Sequence, residues 1–187
     1  MKTFLFALIT FMTIHVGLAA QTSHVQGKKI LIAYYSLRNG NTRIVAEEIQ
    51  KNVGGDIFRI ETVNNYPAEY RDVTDQAKRE QESEFRPKLK KNVSGFNQYD
   101  VIFIGSPIWW GTVAPTVKTF LESNDFKGKT IVPFVTHGGS QLGSSVSDIR
   151  KLCPDSKVLD GLAVLGSNAN NSSNDVIKWL NTIGITK

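Results

Sequence analysis

The sequence predicts a doubly wound α/β domain, in which a parallel sheet carries helices on both faces. Short, nearly continuous apolar runs, of which residues 30–35 are the clearest, are typical of strands buried on both faces. Segments with the apolar spacing of helices alternate with these runs along the chain. This alternation of strand and helix occurs five times, without a linker or an internal repeat, and indicates a single domain.

The predicted elements follow one another in regular order. In the first helix, Val45, Ile49 and Val53 repeat at four-residue spacing, and Gly54 ends the helix. Pro115 stands near the first position of the third helix, where a missing N–H is tolerated. The predicted strands are residues 30–35, 56–63, 101–104, 130–135 and 157–165. The predicted helices are residues 42–52, 70–84, 115–121, 141–152 and 175–183.

Residues 1–20 have the pattern of a secretory signal peptide. Lys2 supplies a positive start, residues 4–20 contain no charge, and residues 17–20 (Gly-Leu-Ala-Ala) are small enough for cleavage. The alternative is a transmembrane anchor, but a span needs about 20 apolar residues and this run is shorter. We therefore expect an exported protein, periplasmic in a Gram-negative cell and otherwise extracellular. It would have no stable membrane anchor after cleavage and one folded domain over residues 28–187.

The sequence argues against a nucleic-acid-binding surface and against a catalytic cysteine. The formal net charge is +5, but the basic residues of segment 78–91 are mixed with glutamates, which is typical of a solvated face and not of a nucleic-acid-binding surface. Cys153 is the only cysteine, so no internal disulfide is expected. We interpret Cys153 as a packing residue at a helix end, because the sequence offers no base close to it.

The loop after the first predicted strand is a candidate phosphate site. In open parallel sheets, ligands bind beyond the carboxyl ends of the strands, where the strand order reverses. Residues 36–42 lead from a buried strand into a helix N-terminus, whose free N–H groups suit an anion. Gly40 allows the backbone to curve around that anion. On this loop alone, the alternative is an ordinary turn in which Asn41 or Thr42 caps the helix.

The loops after the third and fourth predicted strands suit a planar ligand. Trp109 and Trp110 are adjacent, and because successive strand residues point to opposite faces, at least one should reach the surface and offer a ring for stacking. Packing under the loop is the alternative. Residues 136–143 contain three glycines that allow close backbone approach. His137 is either a hydrogen-bond partner or general acid for the ligand, or a structural histidine.

Taken together, these loops resemble those of the flavodoxin family. The matching stretches are Tyr-Ser at 35–36 with Gly-Asn-Thr at 40–42, Pro-Ile-Trp-Trp-Gly-Thr at 107–112, and Thr-His-Gly-Gly-Ser at 136–140. The resemblance covers residues 28–184. It implies a five-stranded sheet in the order 2-1-3-4-5 and FMN held non-covalently, with its phosphate in the first loop and its isoalloxazine ring between the other two.

The resemblance also implies the residues of the cofactor site. The first loop would hold the phosphate, although it has one residue more than is usual in the family, and Arg38 can pair with the phosphate as well. Trp109 or Trp110 would stack on the ring. No residue is assigned a catalytic or metal-binding role. The predicted cofactor-binding residues are Ser36, Arg38, Asn39, Gly40, Asn41, Thr42, Pro107, Ile108, Trp109, Trp110, Gly111, Thr112, Thr136, His137, Gly138, Gly139, Ser140 and Gly143.

FMN supplies redox chemistry, so the resemblance predicts a protein that carries electrons between redox partners. An FMN-dependent NAD(P)H quinone or nitro reductase is the first alternative, and a non-redox binding module is the second. The expected partners are FMN and either a redox protein or a quinone-like small molecule, with no nucleic acid.

Overall fold

The structure is a computed structural model that describes residues 27–37 and 40–185. The predicted signal peptide and two predicted phosphate ligands, Arg38 and Asn39, lie outside the described residues. Within the described part of the chain, no helix is both long and apolar enough to cross a membrane.

A largely parallel sheet forms the centre of the domain. The strands are β1 (Ile30–Tyr34), β2 (Asp56–Arg59), β3 (Val101–Trp109), β4 (Thr112–Val113), β5 (Thr130–His137), β6 (Lys157–Val158) and β7 (Leu162–Leu165). The parallel strands lie in the order β2-β1-β3-β5, and β5 pairs along its other edge first with β6 and then with β7. This confirms the predicted doubly wound sheet, with the fifth predicted strand divided in two.

In the described part of the chain, five α-helices cover the sheet. They are α1 (Asn41–Val53), α2 (Tyr70–Glu82), α3 (Pro115–Glu122), α4 (Ser145–Leu152) and α5 (Ser173–Thr182). Short 3-10 turns occupy Phe96–Gln98 and Gly166–Asn171. The side chains of successive strand residues point to opposite faces of the sheet. Ile32 packs with α1 and α5 on one face, whereas Leu31 packs with α2, α3 and α4 on the other. Cys153 is buried in the second layer, as expected of a packing residue, and burial raises the pKa of its thiol to about 11.

The third strand is longer than predicted. Gly105 was expected to end it, but β3 continues to Trp109 and then reverses into β4. The reversal takes two residues, Trp110 and Gly111, both with positive φ (50° and 84°). That is the backbone of a tight hairpin turn whose twist matches the flanking strands. The predicted loop at 107–112 is therefore a β-hairpin, here called the Trp hairpin (residues 108–113).

Two other elements are shorter than the sequence predicted. The second predicted strand stops at Arg59, and its continuation pairs instead with Leu89 through an isolated bridge at Thr62. The fourth helix begins at Ser145 and not at residue 141, because Gln141 and Gly143 have left-handed backbones (φ 54° and 51°) that no α-helix accepts.

Gly105 leaves no space for a side chain, which leads to a test of the packing. A methyl group on Gly105 would lie 2.2 Å from Cζ of Phe134, which is fully buried on β5. We expect Gly105→Ala to lower the free energy of unfolding by about 1–3 kcal/mol, as overpacking does, measured by chemical denaturation. Combining it with Phe134→Leu should give less loss than the sum of the two single changes. Additive losses would contradict the steric explanation.

Candidate functional site

A cavity of about 730 Å³ opens at the carboxyl ends of β1, β3 and β5. Its size falls within the range of roughly 300–1,000 Å³ that is usual for ligand sites. It lies where the strand order reverses, which is the expected position in an open parallel sheet. Nine of the predicted site residues line it: Asn41, Thr42, Pro107, Ile108, Trp109, Trp110, Thr136, His137 and Gly138.

One end of the cavity is the N-terminus of α1. Gly40 precedes the helix with a left-handed backbone (φ 73°), and the first turn of the helix carries no acidic residue. The alternative, in which Asn41 or Thr42 caps the helix, is not what the structure shows, although the Ser36 hydroxyl accepts the N–H of Arg43 at 3.3 Å. The Thr42 and Thr136 hydroxyls are buried and hydrogen-bond each other at 2.8 Å, which ties the first loop to β5. The positive end of the helix dipole and the remaining N–H groups of the first turn thus border the cavity without an acidic side chain, an arrangement that suits a phosphate.

The Trp hairpin forms the opposite wall, and its two indoles have different surroundings. Trp109 is half-buried, with ring centroids of Tyr35 and Tyr66 at 5.6 and 5.0 Å from its own. Trp110 is 55% exposed, and its indole N–H donates to the Thr74 carbonyl at 2.8 Å. As the sequence predicted, one of the two reaches the surface. Trp109 is thus a braced inner wall, and Trp110 is part of the rim.

The first turn of α4 holds the Trp hairpin from behind. The Ser144 N–H donates to the Gly111 carbonyl at 2.8 Å, and a side chain on Gly143 would collide with that same carbonyl. The Asp148 carboxylate accepts hydrogen bonds from the hydroxyls of Thr112 (2.7 Å) and Ser144 (2.6 Å). Burial raises the pKa of Asp148, but these hydroxyls together with the charges of Lys118 and Lys151 more than offset it, so the pKa lies below its ordinary value. Gly111, Thr112 and Gly143, predicted as cofactor contacts, instead shape the hairpin from outside the cavity lining.

The carboxyl end of β5 and the loop after it contribute His137 and Gly138. His137 is 6% exposed, and its Nδ1 accepts the N–H of Gly139 at 3.0 Å, which leaves the proton of the neutral imidazole on Nε2. A Cβ on Gly138 would meet no atom within 4 Å, so this backbone faces open space. Gly139 and Ser140 do not line the cavity.

The remaining predicted residues of the first loop also lie outside the lining. Ser36 is buried and its hydroxyl accepts the N–H of Arg43 at 3.3 Å, so it fixes the backbone that leads into α1. Gly40 shapes the start of that helix. Both therefore support the site from behind the surface that a ligand would touch.

Seven lining residues were missed by the sequence reasoning: Leu37, Tyr70, Val73, Thr74, Leu165, Gly166 and Ser167. Three of them lie at or just beyond the carboxyl end of β7, so the rule that ligands bind at the carboxyl ends of parallel strands applies to them as well. The residues on α2 had no such signal. That helix reaches the cavity through tertiary contacts, such as the hydrogen bond from Gln81 Nε2 to the Trp109 carbonyl at 2.7 Å.

The role of Asp148 in holding the hairpin gives a prediction. Asp148→Asn removes the charge from the acceptor of two hydroxyls, and we expect it to lower the free energy of unfolding at neutral pH by about 1 kcal/mol. Because the pKa of Asp148 is depressed in the folded protein, its contribution is complete above about pH 4 and disappears as the pH falls through the lower folded-state pKa. Wild type and variant should therefore converge in stability in acid, measured by denaturation across pH.

Exposed Asp155 provides the matched control, since Asp155→Asn should leave the unfolding free energy unchanged at neutral pH. A gap between Asp148→Asn and wild type that stays constant down to acidic pH would contradict the role assigned to the carboxylate.

Comparison with known proteins places this geometry in a family. The family model described as Flavodoxin matches residues 29–183. A solved structure from Bacteroides eggerthii DSM 20697, described as that of a flavoprotein, is 32% identical with a TM-score of 0.75, covering 85% of this chain and 99% of its own. A second, from Bacteroides uniformis ATCC 8492, is 31% identical with a TM-score of 0.73, covering 83% and 99%.

A flavoprotein from Lactobacillus acidophilus NCFM, crystallised in complex with FMN, is 27% identical with a TM-score of 0.63, covering 77% of this chain and 97% of its own. None of the curated proteins compared gave a match. Because the family model spans nearly the whole described domain, the chain belongs to the flavodoxin family.

Proposed function

We propose that this protein binds FMN in the cavity and carries electrons between redox partners that meet the cofactor at the cavity rim. The observation that carries the proposal is that one cavity joins a helix N-terminus without acidic side chains to an aromatic wall. These are the two surfaces that a phosphate-bearing flavin requires. The complex of the Lactobacillus acidophilus relative with FMN supports the same cofactor here.

The residues present fit the phosphate. The first turn of α1 offers N–H donors with no acidic side chain beside them. In the pair formed by Thr42 and Thr136, one hydroxyl donates to the other, which leaves a second hydroxyl proton for a ligand. Asn41 adds an amide on the lining. An anion at a helix N-terminus gains typically 0.3–1 kcal/mol from the dipole alone, and about 2 kcal/mol where the site is partly buried.

The residues present also fit the ring. Trp109 and Trp110 border one side of the cavity, and the loop at Gly138 borders another with backbone that carries no side chain. When bound, FMN would supply the redox chemistry, while the protein binds the ring, orients it and excludes water from part of it. His137, next to Gly138, would present its Nε2–H to the ring as a hydrogen-bond donor.

The rim favours the carrier role. Tyr70, Trp110 and Leu165 line the mouth of the cavity and are 70%, 55% and 44% exposed. Exposed aromatic and apolar side chains around a binding cavity are typical of a surface that another molecule contacts. A partner that docks there would come close to the flavin edge without entering the fold.

A reductase that uses NAD(P)H and a quinone or nitro compound is the second candidate. His137 favours it, because a buried imidazole on the cavity wall can donate a proton to a reduced product.

The purified mature protein tests the proposal. We expect a yellow protein with flavin absorption bands, or a colourless one that becomes yellow with added FMN. Its reduced form should pass electrons rapidly to a redox protein such as a cytochrome c. A protein that takes up no FMN would refute the proposal, and rapid NADPH oxidation with a quinone would select the reductase instead.

A substitution at Thr42 tests the proposed phosphate contact in the same FMN-binding experiment. Thr42→Val keeps the shape of the side chain and removes the hydroxyl, so FMN affinity should fall about tenfold, the value of one hydrogen bond to a charged group. Riboflavin, which lacks the phosphate, should lose much less affinity. Thr182→Val, at an exposed position of α5, is the control and should change neither.

We also propose that the protein is exported, supported by the sequence of residues 1–20. The protein isolated from its native cells should begin at Ala20 or Gln21, read by N-terminal sequencing. Leu8→Arg places a charge in the apolar run and should block processing, whereas Thr3→Ser should not. A native protein that still begins at Met1 would refute export by this signal.

A further inference from the structure

Next to Trp109, but outside the cavity lining, a buried phenol and a buried carboxylate lie in contact. Tyr66 packs against Trp109 with ring centroids 5.0 Å apart, and its hydroxyl donates a hydrogen bond to Oε2 of Glu80. Tyr66 and Glu80 are each 8% exposed. Gln76 Nε2 donates to Oε1 of Glu80 at 2.7 Å, so the carboxylate is held in place. The binding of FMN uses none of these three polar groups.

The pair has the chemistry of a proton-coupled electron donor. Burial raises the pKa of the Tyr66 phenol, and the hydrogen bond to Glu80 raises it further, so the phenol keeps its proton at neutral pH. Removing an electron from a phenol makes its O–H strongly acidic, and the proton then needs an acceptor. Glu80 is already hydrogen-bonded to that O–H and can take the proton without any movement of the chain.

Tyr35 offers an internal comparison. It is also buried beside Trp109, with ring centroids 5.6 Å apart. Among the described residues, however, its hydroxyl forms no hydrogen bond to a carboxylate. Two phenols therefore contact the same indole, and only Tyr66 has a hydrogen-bonded base within reach.

We propose that Trp109, Tyr66 and Glu80 form a proton-coupled relay that delivers one electron to light-excited FMN, an inference that rests on the proposed binding of FMN in the cavity. Trp109 gives one electron to the excited oxidised flavin. Tyr66 then gives one electron to the oxidised indole, its O–H bond breaks, and the proton passes to Glu80. One electron has then left the relay for the cofactor, Trp109 is restored, Tyr66 is a neutral radical and Glu80 is a neutral acid.

The geometry explains why the charge separation would last. An electron taken from Trp109 alone could return directly to the cofactor. Once the proton lies on Glu80, return requires the proton to move back to Tyr66 as well. A cleft of about 260 Å³ lined in part by Tyr66, Glu80 and Phe85 also gives a small reductant a place to reach the outer end of the relay.

Transient absorption of the FMN-loaded protein after a light pulse tests the relay. In wild type, the signal of the oxidised indole should give way to that of a neutral tyrosyl radical, and this step should be slower in D₂O. Tyr66→Phe should abolish the tyrosyl signal and leave the indole signal to decay by return to the flavin. Glu80→Gln keeps the size and the hydrogen-bond acceptor but removes the base, and it should also abolish the tyrosyl signal. Tyr35→Phe is the matched control and should leave the signal unchanged.

Some outcomes overturn the relay without affecting the proposed function. They are a wild-type protein that binds FMN but forms no tyrosyl radical, or a tyrosyl signal that survives Tyr66→Phe. The wild-type measurement and its D₂O dependence need no variant, so the relay is testable even if a substitution at Glu80 prevents folding. A protein that takes up no FMN overturns the proposed function and the relay together.

Discussion

The two-residue turn at Trp110 and Gly111 is the constraint on which the candidate site depends. It lets β3 run on past Gly105, as far as Trp109, and then return as β4, so that one indole lies in the wall of the cavity and the other at its rim. A bulky residue with positive φ costs of the order of 1–3 kcal/mol and persists only where its surroundings hold it. Here α2 and the first turn of α4 hold it from two sides, through Gln81 and Ser144.

The phosphate end and the ring end of the cavity come from different parts of the chain and are joined by few contacts. The hydrogen bond between Thr42 and Thr136 joins the first loop to β5. Gly166, after β7, lies so close to Asn41 that a side chain there would come within 2.7 Å of the Asn41 amide. These contacts bring the loops after three different strands into one surface. A single ligand that carries both a phosphate and an aromatic ring can therefore bind the phosphate end and the ring end of the cavity at the same time.

Helix α2 has two roles that follow from its helical period. Tyr70 and Thr74, four residues apart, lie on one face and form part of the cavity wall and rim. Gln76 and Glu80, also four residues apart, lie together on another side, where they meet Tyr66. The same helix therefore borders the cofactor cavity and holds the carboxylate that would receive the proton of Tyr66. The binding site and the proposed relay are linked through the contact between Trp109 and Tyr66.

Much of this could be predicted from local pattern. The buried strands read as continuous apolar runs, and the period of α1 placed that helix within one residue of its observed ends. The site was found because parallel strands bring their carboxyl ends to one edge, and this holds whatever the side chains are. The hairpin was missed because Trp-Gly is not a usual turn pair, so Gly105 looked like the end of the strand. Gly143 lies outside the cavity lining, and a glycine required by a neighbouring carbonyl looks the same in sequence as one required by a ligand.

The sequence by itself determined the alternation of elements, the edge of the sheet that carries the site and the resemblance to flavodoxins, because these follow from periodicity and from short local motifs. Only the tertiary structure decided which glycines face the cavity, which indole is braced and which exposed, and that α2 forms a wall. Those features depend on contacts between residues far apart in the chain, such as Gln81 with Trp109 and Tyr66 with Glu80, which no local pattern encodes.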